Sequence, residues 1–132
     1  MFMSEPHARK TQKKQLGNSG EEMAIQFLKR NGYHVLEKNY RTSFGEIDII
    51  AEDRDTICFV EVKTRASVFL SSPFEAVSET KQRKLSQMAF EYLRKKNQME
   101  CRARFDAIAI LFSAGENVRI ELVKNAFEVI ES

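Results

Sequence analysis

Apolar residues recur at helical spacing at Leu16, Met23, Ala24, Phe27 and Leu28. This pattern predicts a helix from about Gln15 to Arg30, with Asn31-Gly32 as its stop. Tyr33–Tyr40 reads as a strand, with Tyr33, Val35 and Glu37 alternating against His34 and Leu36, and Ser43-Phe44-Gly45 as a turn. Glu46–Ala51 is the next strand, Glu52-Asp53-Arg54-Asp55 an acidic turn, and Thr56–Thr64 a stronger strand. So short a separation predicts an antiparallel hairpin. Ser67–Pro73 reads as a loop. A second helix starts at Glu75 or Ser78 and runs to Lys96, with Leu85, Met88, Ala89, Tyr92 and Leu93 as its apolar stripe and Lys81, Lys84 and Lys95 elsewhere. Arg104–Phe112 and Val118–Val123 are the last strands, joined by a turn at Ser113–Asn117. Ala126–Ile130 forms a helical turn or an extended cover. The resulting order, αβββαββ, predicts an α/β domain whose mixed β-sheet is flanked by helices that bury their stripes against it.

Charges interrupt two of the strands, in Gly45-Glu46-Ile47-Asp48-Ile49-Ile50 and Phe59-Val60-Glu61-Val62-Lys63-Thr64-Arg65. A hairpin centred between Arg54 and Asp55 sets Asp48 about opposite Glu61. Period-two geometry then puts Glu46 and Asp48 on one face of their strand, and Ile47 and Ile49 on the other. By the same rule Glu61, Lys63 and Arg65 share a face, with Val60, Val62 and Thr64 behind them. Unpaired buried charges are costly, so such a sheet needs an ion, paired groups or an open cleft. Asp48 and Glu61 can share a divalent cation, with Lys63 on the same side to orient water or stabilise phosphate charge. The same residues can instead form a salt-bridge cluster that serves folding alone.

Composition narrows the chemistry. Hydrophobic residues make up 42% and charged residues 30% of the 132 residues, which suits a single globular domain at 15–132 behind a flexible basic arm at 1–14. No apolar run is long enough to span a bilayer, and the basic start lacks the apolar region of a secretory signal, so no membrane association and cytoplasmic residence are expected. Cys58 reads as a core thiol, and Cys58 and Cys101 lack the spacing of a zinc site. With only His7 and His34 available, a metal would be held by oxygen ligands, which favours Mg2+ or Mn2+. The net charge of +2 is uninformative, but Arg9, Lys10, Lys13 and Lys14 form a basic arm. Lys81, Arg83, Lys84, Arg94, Lys95, Lys96, Arg102 and Arg104 form a second basic run against Glu91 and Glu100. Such runs attract phosphate polymers or serve as solvated helix faces.

Taken together, Gly20-Glu21-Glu22-Met23-Ala24, Phe27-Leu28, Asn39-Tyr40-Arg41, Gly45-Glu46-Ile47-Asp48 and Phe59–Arg65 form a specific set of words. Lys81-Gln82-Arg83-Lys84-Leu85, Arg104-Phe105-Asp106 and Asn125-Ala126-Phe127 extend it. From Gly17 to Phe127 the chain resembles the YraN-like UPF0102 family, whose domains look like the PD-(D/E)XK nuclease superfamily and the archaeal Holliday-junction resolvases. Ile47-Asp48 stands where that superfamily's usual proline-aspartate does. The resemblance implies a restriction-endonuclease-like core, nucleic-acid binding and metal-dependent nuclease chemistry.

Glu21 shares a helix face with Ala24 and Leu28, while Glu22 follows a solvent row with Gln26 and Lys29. The family register also places its helix acid at Glu21. It is either a third metal carboxylate or a helix-dipole partner. Arg41, Arg65, Lys81, Gln82 and Arg83 are candidates for phosphate contacts, Gln82 also for organising the ligands. Glu46 and Asp106 are supporting residues, Asp106 through a partner such as Arg104. Phe44 and Phe69 could stack on bases. The leading expectation is a metal-dependent nuclease on DNA phosphodiesters, with branched or structured DNA as substrate and Asp48, Glu61, Lys63 and Glu21 as its catalytic set. RNA stays open as a partner, as does a homodimer through strand edges or the second helix. The alternatives are an inactive nucleic-acid-binding module and a protein-interaction domain with a structural ionic cluster.

Overall fold

The structure, a computed structural model, describes residues 19–66, 78–112 and 117–127. The predicted 1–14 arm and the Ser67–Pro73 loop, with Phe69, lie outside the described residues. Helix α1 covers residues 19–30 and stops at the predicted glycine. Gly32 adopts φ 88°, while Tyr33 N–H donates to Leu28 O at 2.9 Å and Gly32 N–H to Lys29 O at 3.1 Å. A left-handed glycine with two backward bonds satisfies carbonyls that the helix end leaves open.

Strands β1 (His34–Thr42), β2 (Gly45–Asp53) and β3 (Thr56–Ala66) precede helix α2 (Glu79–Lys95), and β4 (Arg102–Phe112) and β5 (Val118–Phe127) follow it. The sheet order is β1-β2-β3-β4-β5, with β3 and β4 parallel and the other neighbours antiparallel. The parallel pair requires a crossover, which α2 supplies. Thus the αβββαββ order and the mixed sheet are both present. Ser78 caps α2, its Oγ accepting from Lys81 N–H at 3.2 Å. No helix among the described residues is long and apolar enough to cross a membrane.

The sheet is covered on both faces. Ala24, Ile25 and Leu28 of α1 pack with Tyr33, Ile49, Ala51, Cys58, Val60, Ile108 and Ile110. On the other face Leu85, Met88, Ala89, Tyr92 and Leu93 pack with Ile47, Ile50, Ile57, Phe59 and Phe105. The predicted stripe of α2 is therefore the buried one. Tyr92 stands edge-on to both Tyr40 and Phe59, with centroids 5.2 and 5.9 Å apart, a favourable aromatic geometry. Cys58 is a fully buried free thiol, and burial pushes its pKa up to about 12.

Elements extend further than periodicity indicates. β2 runs to Asp53, because Arg54 takes the left-handed conformation (φ 59°) and closes the hairpin with Asp55. β4 begins at Arg102, and β5 continues to Phe127 instead of ending at Val123. Two face assignments also change. A register shift between Val35 and Glu37 ends the alternation of β1 and leaves Glu37 3.8 Å from Lys96 at the end of α2. In β2, Ile47 faces α2 whereas Ile49 faces α1, so the two do not share a face.

Gly20 fixes the approach of α1 to the sheet. A Cβ built there would collide with Thr64 Oγ1 on β3. Gly20→Ala is expected to destabilise the fold by about 1–3 kcal/mol, since Thr64 or the helix must move. Thermal unfolding of the variant checks this.

Candidate metal centre

The β2–β3 ladder is paired from Asp53–Thr56 to Ile49–Val60 and centres between Arg54 and Asp55, as predicted. Asp48 and Glu61 come next, opposite each other in count, but the main-chain pairing has stopped. Instead Val62 N–H donates to Asp48 Oδ2 at 2.8 Å. A side-chain carboxylate thus takes the place of a main-chain acceptor, and the strands open around it.

On the other side of β2, the pairs Lys38–Ile49 and Tyr40–Ile47 flank Asn39, which has φ 52°. Asn39 therefore stands opposite Asp48, where β2 changes which face its side chains take. Two irregularities meet across one ladder. Asparagine tolerates the left-handed region better than most residues.

Three acids come together beside this break. One carboxylate oxygen from each of Glu21 of α1 and Glu46 and Asp48 of β2 lies within 4.8 Å of the others. Glu46 also lies 3.5 Å from Arg41 Nε. Burial, with the charges of Glu61, Glu21 and Glu46, pushes the Asp48 pKa up to about 7, although the Val62 N–H bond pulls it down.

Glu61 is not one of the three. It shares a small cavity of about 10 Å³ with Asp48, Ile47, Phe59, Leu85 and Phe105. Its Oε2 is buried without a hydrogen bond, although Lys81 Nζ of α2 lies 3.5 Å away. We take that pair as an electrostatic contact, since it leaves the oxygen's hydrogen-bonding capacity unfilled. Lys63 is half-buried two residues on, and no ion pair among the described residues engages it.

The remaining predicted residues divide. Glu21 lies over the site, while Glu22 is exposed and bonded to Gln26 at 3.2 Å, as the helical spacing indicates. Gln82 is half-buried on α2 near its start. Arg83 pairs with Glu79 at 2.8 Å, and the exposed Arg65 donates to Thr64 O at 3.0 Å. Phe44 is exposed at the β1–β2 turn.

Asp106 belongs to a separate network. It accepts from Arg104 Nε at 2.9 and 3.2 Å, Tyr33 Oη at 3.2 Å and Asn125 N–H at 2.9 Å. Arg104 also donates to Asp53 at 2.7 Å and Tyr33 Oη at 3.0 Å. Those bonds commit Asp106 to holding β4, β5 and the α1–β1 junction together.

Sequence reasoning missed Asn39 as part of the site. Its signals were its place in the word Asn39-Tyr40-Arg41 and a turn-favouring residue inside a predicted strand. Tyr33, read only as an alternating position of the first strand, carries a polar role that spacing does not reveal.

Residues 20–110 match the model of the "Uncharacterised protein family UPF0102". A UPF0102 protein of Caldicellulosiruptor saccharolyticus is 46% identical over 116 residues, covering 87% of this chain and 98% of that protein. A UPF0102 protein of Geobacter metallireducens is 48% identical over 116 residues, covering 88% and 94%. One of Syntrophus aciditrophicus is 48% identical over 121 residues, covering 92% and 94%.

Proposed function

The chain belongs to the UPF0102 family, and from its converging carboxylates we propose that it is a metal-dependent nuclease acting on DNA phosphodiesters. The observation that carries this reading is the meeting of Glu21, Glu46 and Asp48 within 4.8 Å where the β2–β3 ladder opens. A hard divalent cation fits the donors present. They are all carboxylate oxygens, burial and then the charges of Glu61, Glu21 and Glu46 raise the Asp48 pKa, and the buried Glu61 Oε2 beside them has no hydrogen bond.

Glu21, Glu46 and Asp48 would hold Mg2+ or Mn2+, with Glu61 adding its carboxylate from β3. When bound, such an ion supplies Lewis acidity toward a phosphoryl oxygen. Lys63, free of an ion pair among the described residues, orients the attacking water or balances charge developing on the phosphate. Arg41, Arg65 and Lys81 are exposed cations that suit backbone phosphates, which position nucleic acid without reading its sequence.

A cleavage screen with Mg2+ and Mn2+ on linear, flapped, nicked and four-way DNA, with an RNA control, tests this. Metal-dependent cleavage is expected, with Glu61→Gln and Lys63→Ala losing turnover while duplex binding stays within about threefold of the parent, roughly 0.7 kcal/mol. Branched DNA is the first substrate class to try. Metal binding without cleavage of any substrate would overturn the enzyme.

A second reading has its own support. Arg41–Glu46 and Lys81–Glu61 show that two site acids already have cations within the chain. A nucleic-acid-binding module without turnover would use the cluster to hold β2, β3 and α2. It would bind DNA equally with and without metal.

A further inference from the structure

We propose that Asn39 is a positioning residue of the metal centre, its side-chain amide holding Glu21 and Glu46 ready for a divalent cation. The inference rests on the metal-dependent reading above and deepens it.

The amide orientation follows from its surroundings. One end faces only carboxylate oxygens, so the nitrogen belongs there: 3.2 Å from each oxygen of Glu21 and 2.9 Å from Glu46 Oε1. One Nδ2, with two hydrogens, therefore links an acid on α1 to an acid on β2. The sequence separates these acids by a helix and a strand.

The residue type suits the task for an electrostatic reason. Carboxylates held this close repel one another. Something must offset that repulsion if the three are to stay together without a metal. Arg41 already offsets part of the charge on Glu46 at Oε2, but a cation reaching both Glu21 and Glu46 would compete with an incoming metal ion. A neutral amide donates hydrogen bonds and leaves the negative charge in place.

The backbone agrees with the side chain. Asn39 sits in the left-handed region directly opposite Asp48, between ladder pairs that hold β1 to β2 on either side. Its position is thus anchored at both flanks. Arg41 holds Glu46 from the same strand, at Oε2, while Asn39 holds Oε1. Val62 N–H orients Asp48 from β3. Each of the three acids is thus aimed by a donor from a neighbouring strand.

Asn39→Gly separates the amide from the backbone, since glycine accepts positive φ freely. Mn2+ binding to the full chain, followed by electron paramagnetic resonance and calorimetry, gives a readout independent of cleavage. Removing outer partners of metal ligands commonly costs about 10–100-fold in affinity. Asn39→Gly is expected to lose that much Mn2+ affinity and to alter the bound-ion spectrum, with the metal-free fold intact by circular dichroism. In a Glu21→Gln background the same change is expected to cost clearly less, because the amide acts through Glu21. Parental Mn2+ affinity and spectrum in Asn39→Gly would overturn the assignment, while Mn2+ binding and cleavage by the parent protein would leave the nuclease reading standing. Equal losses with and without Glu21 would also overturn it, as a general weakening of β1. A parent protein that binds no Mn2+ would overturn both readings.

Discussion

Asp48→Asn is expected to raise the thermal stability of the metal-free protein at pH 8 while abolishing metal-dependent cleavage. The two effects share one cause. Burial and the charges of Glu61, Glu21 and Glu46 hold the Asp48 pKa at about 7, against an ordinary value of 3.8. Between those values the folded protein keeps a proton that the unfolded chain has released. Stability therefore falls as pH rises from about 4 to about 7, and levels off above that. Each tenfold change in proton affinity is worth about 1.4 kcal/mol, so the penalty at pH 8 is on the order of 4 kcal/mol. Asparagine keeps an oxygen to accept from Val62 N–H and never carries the charge. Its benefit should appear at pH 8 and vanish near pH 4.

The functional effect has the opposite sign. Removing this carboxylate from a metal site is expected to reduce turnover at least about 10³-fold, equivalent to roughly 4 kcal/mol of transition-state stabilisation. Adding Mg2+ should stabilise the parent, by about 2.7 kcal/mol at a hundredfold excess over Kd, and leave Asp48→Asn unmoved. Denaturant melts at pH 4 and pH 8, with and without Mg2+, separate these effects. A variant no more stable than the parent at pH 8 would mean that the carboxylate is not held under charge stress.

The second large effect concerns folding alone. Asp106 is 1% exposed and carries bonds from Arg104, Tyr33 and Asn125. Asp106→Ala leaves a half-buried guanidinium short of one partner, a buried phenol without its acceptor and a backbone N–H on β5 unpaired. Breaking such a pair from one side costs about 3–5 kcal/mol. For a chain of this length that lowers Tm by about 10–20 °C. Asp106→Asn retains an acceptor for Asn125 N–H and should cost clearly less. Exposed Glu22→Ala provides the baseline, within about 0.5 kcal/mol of the parent. If Asp106→Ala matched that baseline, the network would not be what joins β4, β5 and the α1–β1 junction.

Much of this was open to sequence reasoning because it depends on near neighbours along the chain. Helical spacing distinguishes Glu21 from Glu22 and picks out the α2 stripe from Leu85 to Leu93. The short Arg54-Asp55 connection sets the register that brings Asp48 opposite Glu61. The family words identify UPF0102 membership, since many weak local signals add up over the chain.

The other half depends on departures from regularity and on distant partners. Strict alternation puts Ile47 and Ile49 together, yet the structure turns them to opposite faces. A period-two rule cannot foresee that break, because it arises from Asn39 across the ladder and from the Val62 N–H that Asp48 captures. Beside the same break, Asn39, a poor strand former, reaches Glu21 and Glu46. Tyr33 and Asp106 are 73 residues apart, a pairing that exists only once β4 lies beside β3. The sequence by itself thus determined the elements, the hairpin register and the acids available. Only the tertiary structure decided which acids meet, because their meeting depends on where the ladder fails.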